Sequence, residues 1–97
     1  MTITKKENGT AVILCVEGRV DTITAPELEK EIQSLAGAES LEIDCAKMEY
    51  ISSAGLRVLL SAHKAFATKG GMSVTNVSDT LLDIFEVTGF RDILNIK

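Results

Sequence analysis

Ala11-Val12-Ile13-Leu14-Cys15-Val16, followed after Gly18 by Thr24-Ala25-Pro26-Glu27, decides the fold class. The first stretch is a continuous apolar run with β-branched residues, and it reads as a strand buried on both faces. The second reads as a capping box, with Thr24 at the N-cap and Glu27 three positions on, each satisfying a backbone donor of the other. Pro26 is tolerated in that first turn, where its missing N–H has no intrahelical partner anyway. Ala25, Leu28, Ile32 and Leu35 then recur at helical spacing, and Gly37 closes the helix. A buried strand feeding an amphipathic helix is the first half of a βαβ unit.

Upstream, Thr2-Ile3-Thr4-Lys5-Lys6 reads as a strand, and Asn8-Gly9 is a hairpin dipeptide. Downstream, Leu41-Glu42-Ile43-Asp44-Cys45 alternates apolar and acidic residues, as a strand does. A loop through Lys47 and Tyr50 leads to Tyr50-Ile51-Ser52-Ser53-Ala54-Gly55-Leu56. From there Leu56, Leu59, Leu60, His63 and Phe66 or Ala67 mark one face of a helix of about four turns, ended by Gly70-Gly71. Met72 to Val77 alternates again, and Ser78 caps a helix carrying Leu81, Leu82, Phe85 and Val87 that stops at Gly89. Ile93-Leu94-Asn95-Ile96 forms a short strand or a last helical turn. The expected order is ββαβαβα plus a short C-terminal tail. That is one α/β domain over residues 1–97, a mixed sheet with helices packed against it.

Composition narrows the function. The 97 residues suit one hydrophobic core, which normally serves about 100–150. With a net charge of −4 and 4% aromatics, the chain offers neither a basic footprint for a phosphate backbone nor stacking platforms for bases. Nucleic acid is therefore not an expected partner; an acidic surface favours a basic protein. No stretch approaches the roughly 20 apolar residues of a membrane span, and Met1-Thr2-Ile3-Thr4-Lys5-Lys6 lacks signal-peptide order, so a cytoplasmic location is expected. Cys15 and Cys45 lie in separate strand-like runs without metal-ligand spacing and read as small core hydrophobes.

Enzyme chemistry finds little support. The single histidine, His63, falls ten residues after Ser53, roughly 15 Å along the same helix and too far to act as its base. No G-x-S-x-G elbow, Walker A loop, dinucleotide-binding glycine motif or H-E-x-x-H is present. Neither catalysis nor a cofactor is expected.

The Ser-Ser-Ala-Gly turn carries the most information. A serine at a helix start is ordinarily an N-cap, its oxygen accepting from an amide two or three residues on. Here two serines are adjacent where one cap suffices. Gly55 in the first turn costs about 1 kcal/mol relative to Ala, a cost for which the sequence offers no folding benefit. The free amides and dipole of such a helix start favour an anion. Arg57, also in the first turn, suits a phosphate or a partner carboxylate, and equally a solvated place on the surface.

Ile51-Ser52-Ser53-Ala54-Gly55-Leu56, with the strand around Asp44 before it, resembles the phosphorylation loop of anti-sigma factor antagonists, the STAS-domain family. The resemblance runs essentially end to end. Gly18-Arg19-Val20-Asp21 resembles the family's Gly-x-x-Asp after the second strand. Gly70-Gly71-Met72 and Ile84-Phe85-Glu86-Val87-Thr88-Gly89-Phe90 resemble its later strand and final helix. The family usually has Asp, then the phosphorylated Ser, then Ser or Thr and Gly. Residue by residue, Ser52 stands at the Asp position, Ser53 at the acceptor and Ala54 next.

The resemblance implies a STAS fold and a protein that binds an anti-sigma factor, releases its sigma factor, and is switched off by phosphorylation of Ser53. The implied partner is a serine kinase of the histidine-kinase-like ATPase type that brings its own ATP, with a phosphatase for reset. Asp21, Ser52, Ala54, Gly55, Leu56 and Arg57 are the implied partner-binding or loop-supporting residues. With Ser52 replacing the usual Asp, the alternative is a STAS partner subunit of a transport or regulatory complex that is never phosphorylated.

Overall fold

The computed structural model describes residues 1–97. Asn8-Gly9-Thr10 turns the chain between β1 (Thr2–Asn8) and β2 (Ala11–Val20), which pair antiparallel with Asn8 opposite Ala11. Helix α1 (Ala25–Gln33) leads to β3 (Ser40–Asp44), and β4 (Met48–Ile51) runs directly into α2 (Ser53–Phe66). Strand β5 (Met72–Thr75), helix α3 (Asp79–Val87) and a 3-10 turn (Phe90–Asp92) complete the chain. The strands lie in the order β1-β2-β3-β5, with every pairing after the hairpin parallel, so the sheet is mixed as the pattern predicts.

One strand goes beyond the expected order: β4 forms where a loop through Lys47 and Tyr50 is expected. The reason lies in β2. Gly18, at φ 94°, sits at a register shift that divides this strand in two. Its first half, Ala11 to Cys15, pairs with β3; Gly18 to Val20 pair with β4. Between Gly18 and Arg19 the register skips Glu49, so the extra residue of this bulge lies in β4, and the end of β2 beyond its pairing with β3 is the edge that Met48–Ile51 joins.

The helices cover one face of the sheet. Val12, Leu14 and Val16 of β2, Leu41 and Ile43 of β3, and Met72 and Val74 of β5 are buried. The residues between them are half-buried or exposed. Strand β2 is therefore buried on one face rather than both, and Cys15 is half-buried beside the Asp44 carboxylate, 3.7 Å from Oδ2, instead of lying in the core. Cys45 is buried as expected, and burial pushes its thiol up to about 12. Leu28, Ile32, Leu56, Leu59, Phe66, Leu81 and Phe85 face the sheet from the three helices. On α2 that face also takes Val58 and Ala62, whereas His63 is half-buried. The tail Ile93–Ile96 is neither the expected strand nor a helical turn: the 3-10 turn lies just before it, at Phe90–Asp92, and Ile96 alone bridges to Val74, in parallel.

Candidate functional site: a helix-start serine beside the Asp21 turn

Val20 and Ile51 are paired neighbours at the ends of two parallel strands. The two strands therefore deliver their next segments to the same edge of the sheet: the Asp21–Thr24 turn after β2, and Ser52-Ser53 after β4. The Ser52 amide donates to the Val20 carbonyl at 2.8 Å and ties the two segments together. The fold thus brings Asp21 to the residues around Ser53, although 32 positions separate them in sequence.

The two serines take different positions. Ser52 is the N-cap: its backbone is extended, and its hydroxyl oxygen accepts from the Gly55 amide at 3.3 Å. Its carbonyl accepts from Leu56 at 2.9 Å, closing the first turn. Ser53 is the first helical residue, exposed and without a capping role. The amides at this helix start precede the first intrahelical bond and carry the positive end of the dipole. No acidic residue occupies the first turn of α2. Arg57 is exposed one turn on from Ser53, the i+4 spacing at which helical side chains meet.

Ala54 is half-buried, while Gly55 and Leu56 are buried beneath the turn. Gly55 has a packing reason that the sequence does not reveal. A Cβ there would lie 2.7 Å from Ile51 Cγ1 and 2.8 Å from Val20 Cγ1. Only glycine lets the first turn of α2 seat against the ends of β2 and β4, so this residue does have a folding benefit.

The Asp21 turn is built by side chains. Asp21 Oδ1 accepts from the amides of Ile23 at 2.9 Å and Thr24 at 3.0 Å. These bonds, led by that from Thr24, with Arg19 nearby, hold its carboxyl below the usual aspartate range. Thr24 Oγ1 accepts from the Asp21 amide at 2.9 Å and donates to the Arg19 carbonyl at 3.0 Å. The hydroxyl is thereby drawn away from α1, and the expected Thr24–Glu27 capping box does not form. The Asp21 carbonyl instead accepts from the Ala25 amide at 2.8 Å. Asp44 lies at the end of β3, where Asn76 Nδ2 and the Ala46 amide donate to it and lower its carboxyl.

Two features of this edge are not among the residues singled out from the sequence. Ile23, between two threonines, is 87% exposed. Arg19 also stacks over the Tyr50 ring at 4.4 Å, crossing the paired ends of β2 and β4. Tyr50 gives no such signal while it reads as loop; an isoleucine inside Asp21-Thr22-Ile23-Thr24 is a visible anomaly.

The largest surface depression, about 370 Å³, lies at the opposite ends of the strands, by Ser40, Gly70 and Asn95. It belongs to a different edge from Ser53. No group of three His, Cys, Asp or Glu residues is placed to hold a metal, and no helix is long and apolar enough to cross a membrane.

Comparison with known proteins fits this geometry. The STAS domain family matches residues 2–97. The anti-sigma-B factor antagonist of Bacillus subtilis (strain 168) is 32% identical over 95 residues, covering 95% of this chain and 86% of the relative. An anti-sigma factor antagonist from Mycobacterium paratuberculosis superposes with a TM-score of 0.87 at 23% identity, over 98% of this chain and 83% of that one. The Bacillus cell fate determinant SpoIIAA in its phosphorylated form gives a TM-score of 0.75 at 13% identity, over 99% and 91%. These structural likenesses are likenesses of fold. Matched along nearly its whole length and sharing that architecture, the chain belongs to the STAS domain family.

Proposed function

We propose that this protein is an anti-sigma factor antagonist that binds an anti-sigma factor serine kinase and is switched off by phosphorylation of Ser53. The carrying observation is the division of labour at the start of α2. Ser52 is engaged as the N-cap, so the exposed Ser53 hydroxyl is free for modification without loss of the cap. The names of the relatives support the antagonist reading, and SpoIIAA, of the same fold, exists in a phosphorylated form.

Unphosphorylated, the edge formed by the Asp21 turn and the start of α2 docks on the kinase, which gives up its sigma factor. The kinase then transfers a phosphoryl group from its own ATP to Ser53 Oγ, and the serine proton leaves. The new group carries about −1.5 to −2 charges at pH 7. Within the chain the helix amides and Arg57 accommodate it, so the fold persists. In the docked interface the same charge must be stripped of water against the partner, and binding fails. A hundredfold loss of affinity corresponds to about 2.8 kcal/mol. A phosphatase acting on Ser53 resets the switch.

Affinity measurements test this reading. Ser53→Ala retains kinase binding and Ser53→Asp abolishes it. Equal affinities of the two variants would remove the switch and leave the chain as a partner subunit that is never phosphorylated, a reading favoured by Ser52 at the usual Asp position.

A further inference from the structure

We infer that Ile23 is an apolar anchor for the kinase, presented ready-formed by the Asp21 turn on the same edge as Ser53; the inference rests on the reading proposed above. Ile23 is 87% exposed, and its position in the turn is fixed through its amide, which donates to Asp21 Oδ1. Any residue with an N–H would complete that turn, so folding makes no use of the isoleucine side chain. Of the other large apolar side chains exposed to this degree, Val87 ends α3, whereas Ile23 stands where β2 and β4 deliver the candidate phosphorylation site.

The surface between the two segments is continuous. A groove of about 230 Å³ has Thr22 and Pro26 on one wall and Ala54, Arg57 and Val58 on the other. Thr22 and Ala54, which line it, are the chain neighbours of Ile23 and Ser53, so a partner seated across this groove to phosphorylate Ser53 also reaches the Asp21 turn. The matching partner surface is an apolar socket for Ile23 beside the kinase active site. Burying a side chain already held in place gains apolar contact without the cost of ordering a loop. Phosphorylation of Ser53 then acts beside this anchor, where loss of water matters most.

The test uses the full chain and the anti-sigma serine kinase from the same genome, with Ile23→Ala, Ile23→Asp and Ser53→Asp compared by titration calorimetry. Ile23→Ala weakens binding at least tenfold, about 1.4 kcal/mol, and Ile23→Asp weakens it further, while both melt at the wild-type temperature. Wild-type affinity of both Ile23 variants, with Ser53→Asp not binding, overturns the anchor and leaves the proposed function standing. The reverse pattern upholds the anchor and overturns the switch. If Ile23→Asp splits a dimer of the free chain without changing kinase affinity, Ile23 serves self-association and the inference fails.

Discussion

Ser52 Oγ accepts the Gly55 amide at 3.3 Å, so the residue that caps α2 and the residue offered for modification are different serines. Loss of an N-cap side chain typically costs about 1 kcal/mol, within a range of 0.5–2. Ser52→Ala is therefore destabilised by about 1 kcal/mol in urea unfolding, and Ser53→Ala stays within about 0.5 kcal/mol of wild type. An equal loss from both substitutions would show that Ser53 shares the cap.

Gly55→Ala sets two effects against each other. Alanine is favoured over glycine in a helix by about 1 kcal/mol. Its Cβ, however, would press on Ile51 Cγ1 and Val20 Cγ1 at 2.7 and 2.8 Å, between buried strand ends that have little room to give. Overpacking of this kind costs about 1–3 kcal/mol. The net result is a lower melting temperature, by several degrees for a chain of this size. A higher one would mean that the strand ends yield.

Asp21 and Asp44 give the fold an acid-sensitive component. Hydrogen bonds lower both carboxyls, led by Thr24 N–H at Asp21 and by Asn76 at Asp44. A carboxyl whose folded pKa lies below its unfolded value binds protons preferentially in the unfolded state. Its contribution is complete above the unfolded value of about 3.9 and is lost as pH falls through the folded value. Unfolding free energy accordingly declines below about pH 4, and less steeply in Asp21→Asn. Identical slopes for variant and wild type between pH 4 and 2 would contradict the Asp21 assignment.

The cysteines separate by environment. Cys45 is 1% exposed, with its thiol pushed up to about 12, whereas Cys15 is half-buried on the open face of the sheet. A thiol reagent at pH 8 labels Cys15 in the native protein and reaches Cys45 only at the rate of opening. Equal labelling rates in the Cys15→Ala and Cys45→Ala variants would argue against the burial of Cys45.

The parts of this fold that depend on local pattern are legible in the sequence. The Asn8-Gly9 turn, the apolar spacing of α1 and the cap at Ser78 each arise from a few neighbouring residues, whereas the sequence leaves open which of Ser52 and Ser53 caps α2. What escapes is set by distant partners. Met48–Ile51 becomes a strand because the end of β2, beyond its pairing with β3, offers it an edge. Thr24 fails to cap because Asp21 and Arg19 claim its hydroxyl. The run Ala11 to Val16 cannot reveal that one of its faces is open, since Ile13 and Cys15 are as apolar as their buried neighbours. At the site, Ser53 is singled out by the resemblance of its loop to the family's, and Arg57 by its place in the first turn; the nearness of the Asp21 turn requires the pairing of Val20 with Ile51.

Whether Ser53 is the acceptor is decided by incubating the full chain with the anti-sigma serine kinase of the same genome and ATP. The modified residue is then located by tandem mass spectrometry. The expected result is a single phosphate on Ser53, and none in Ser53→Ala. Phosphate on Ser52, or none on either serine while the kinase still binds the chain, would contradict it.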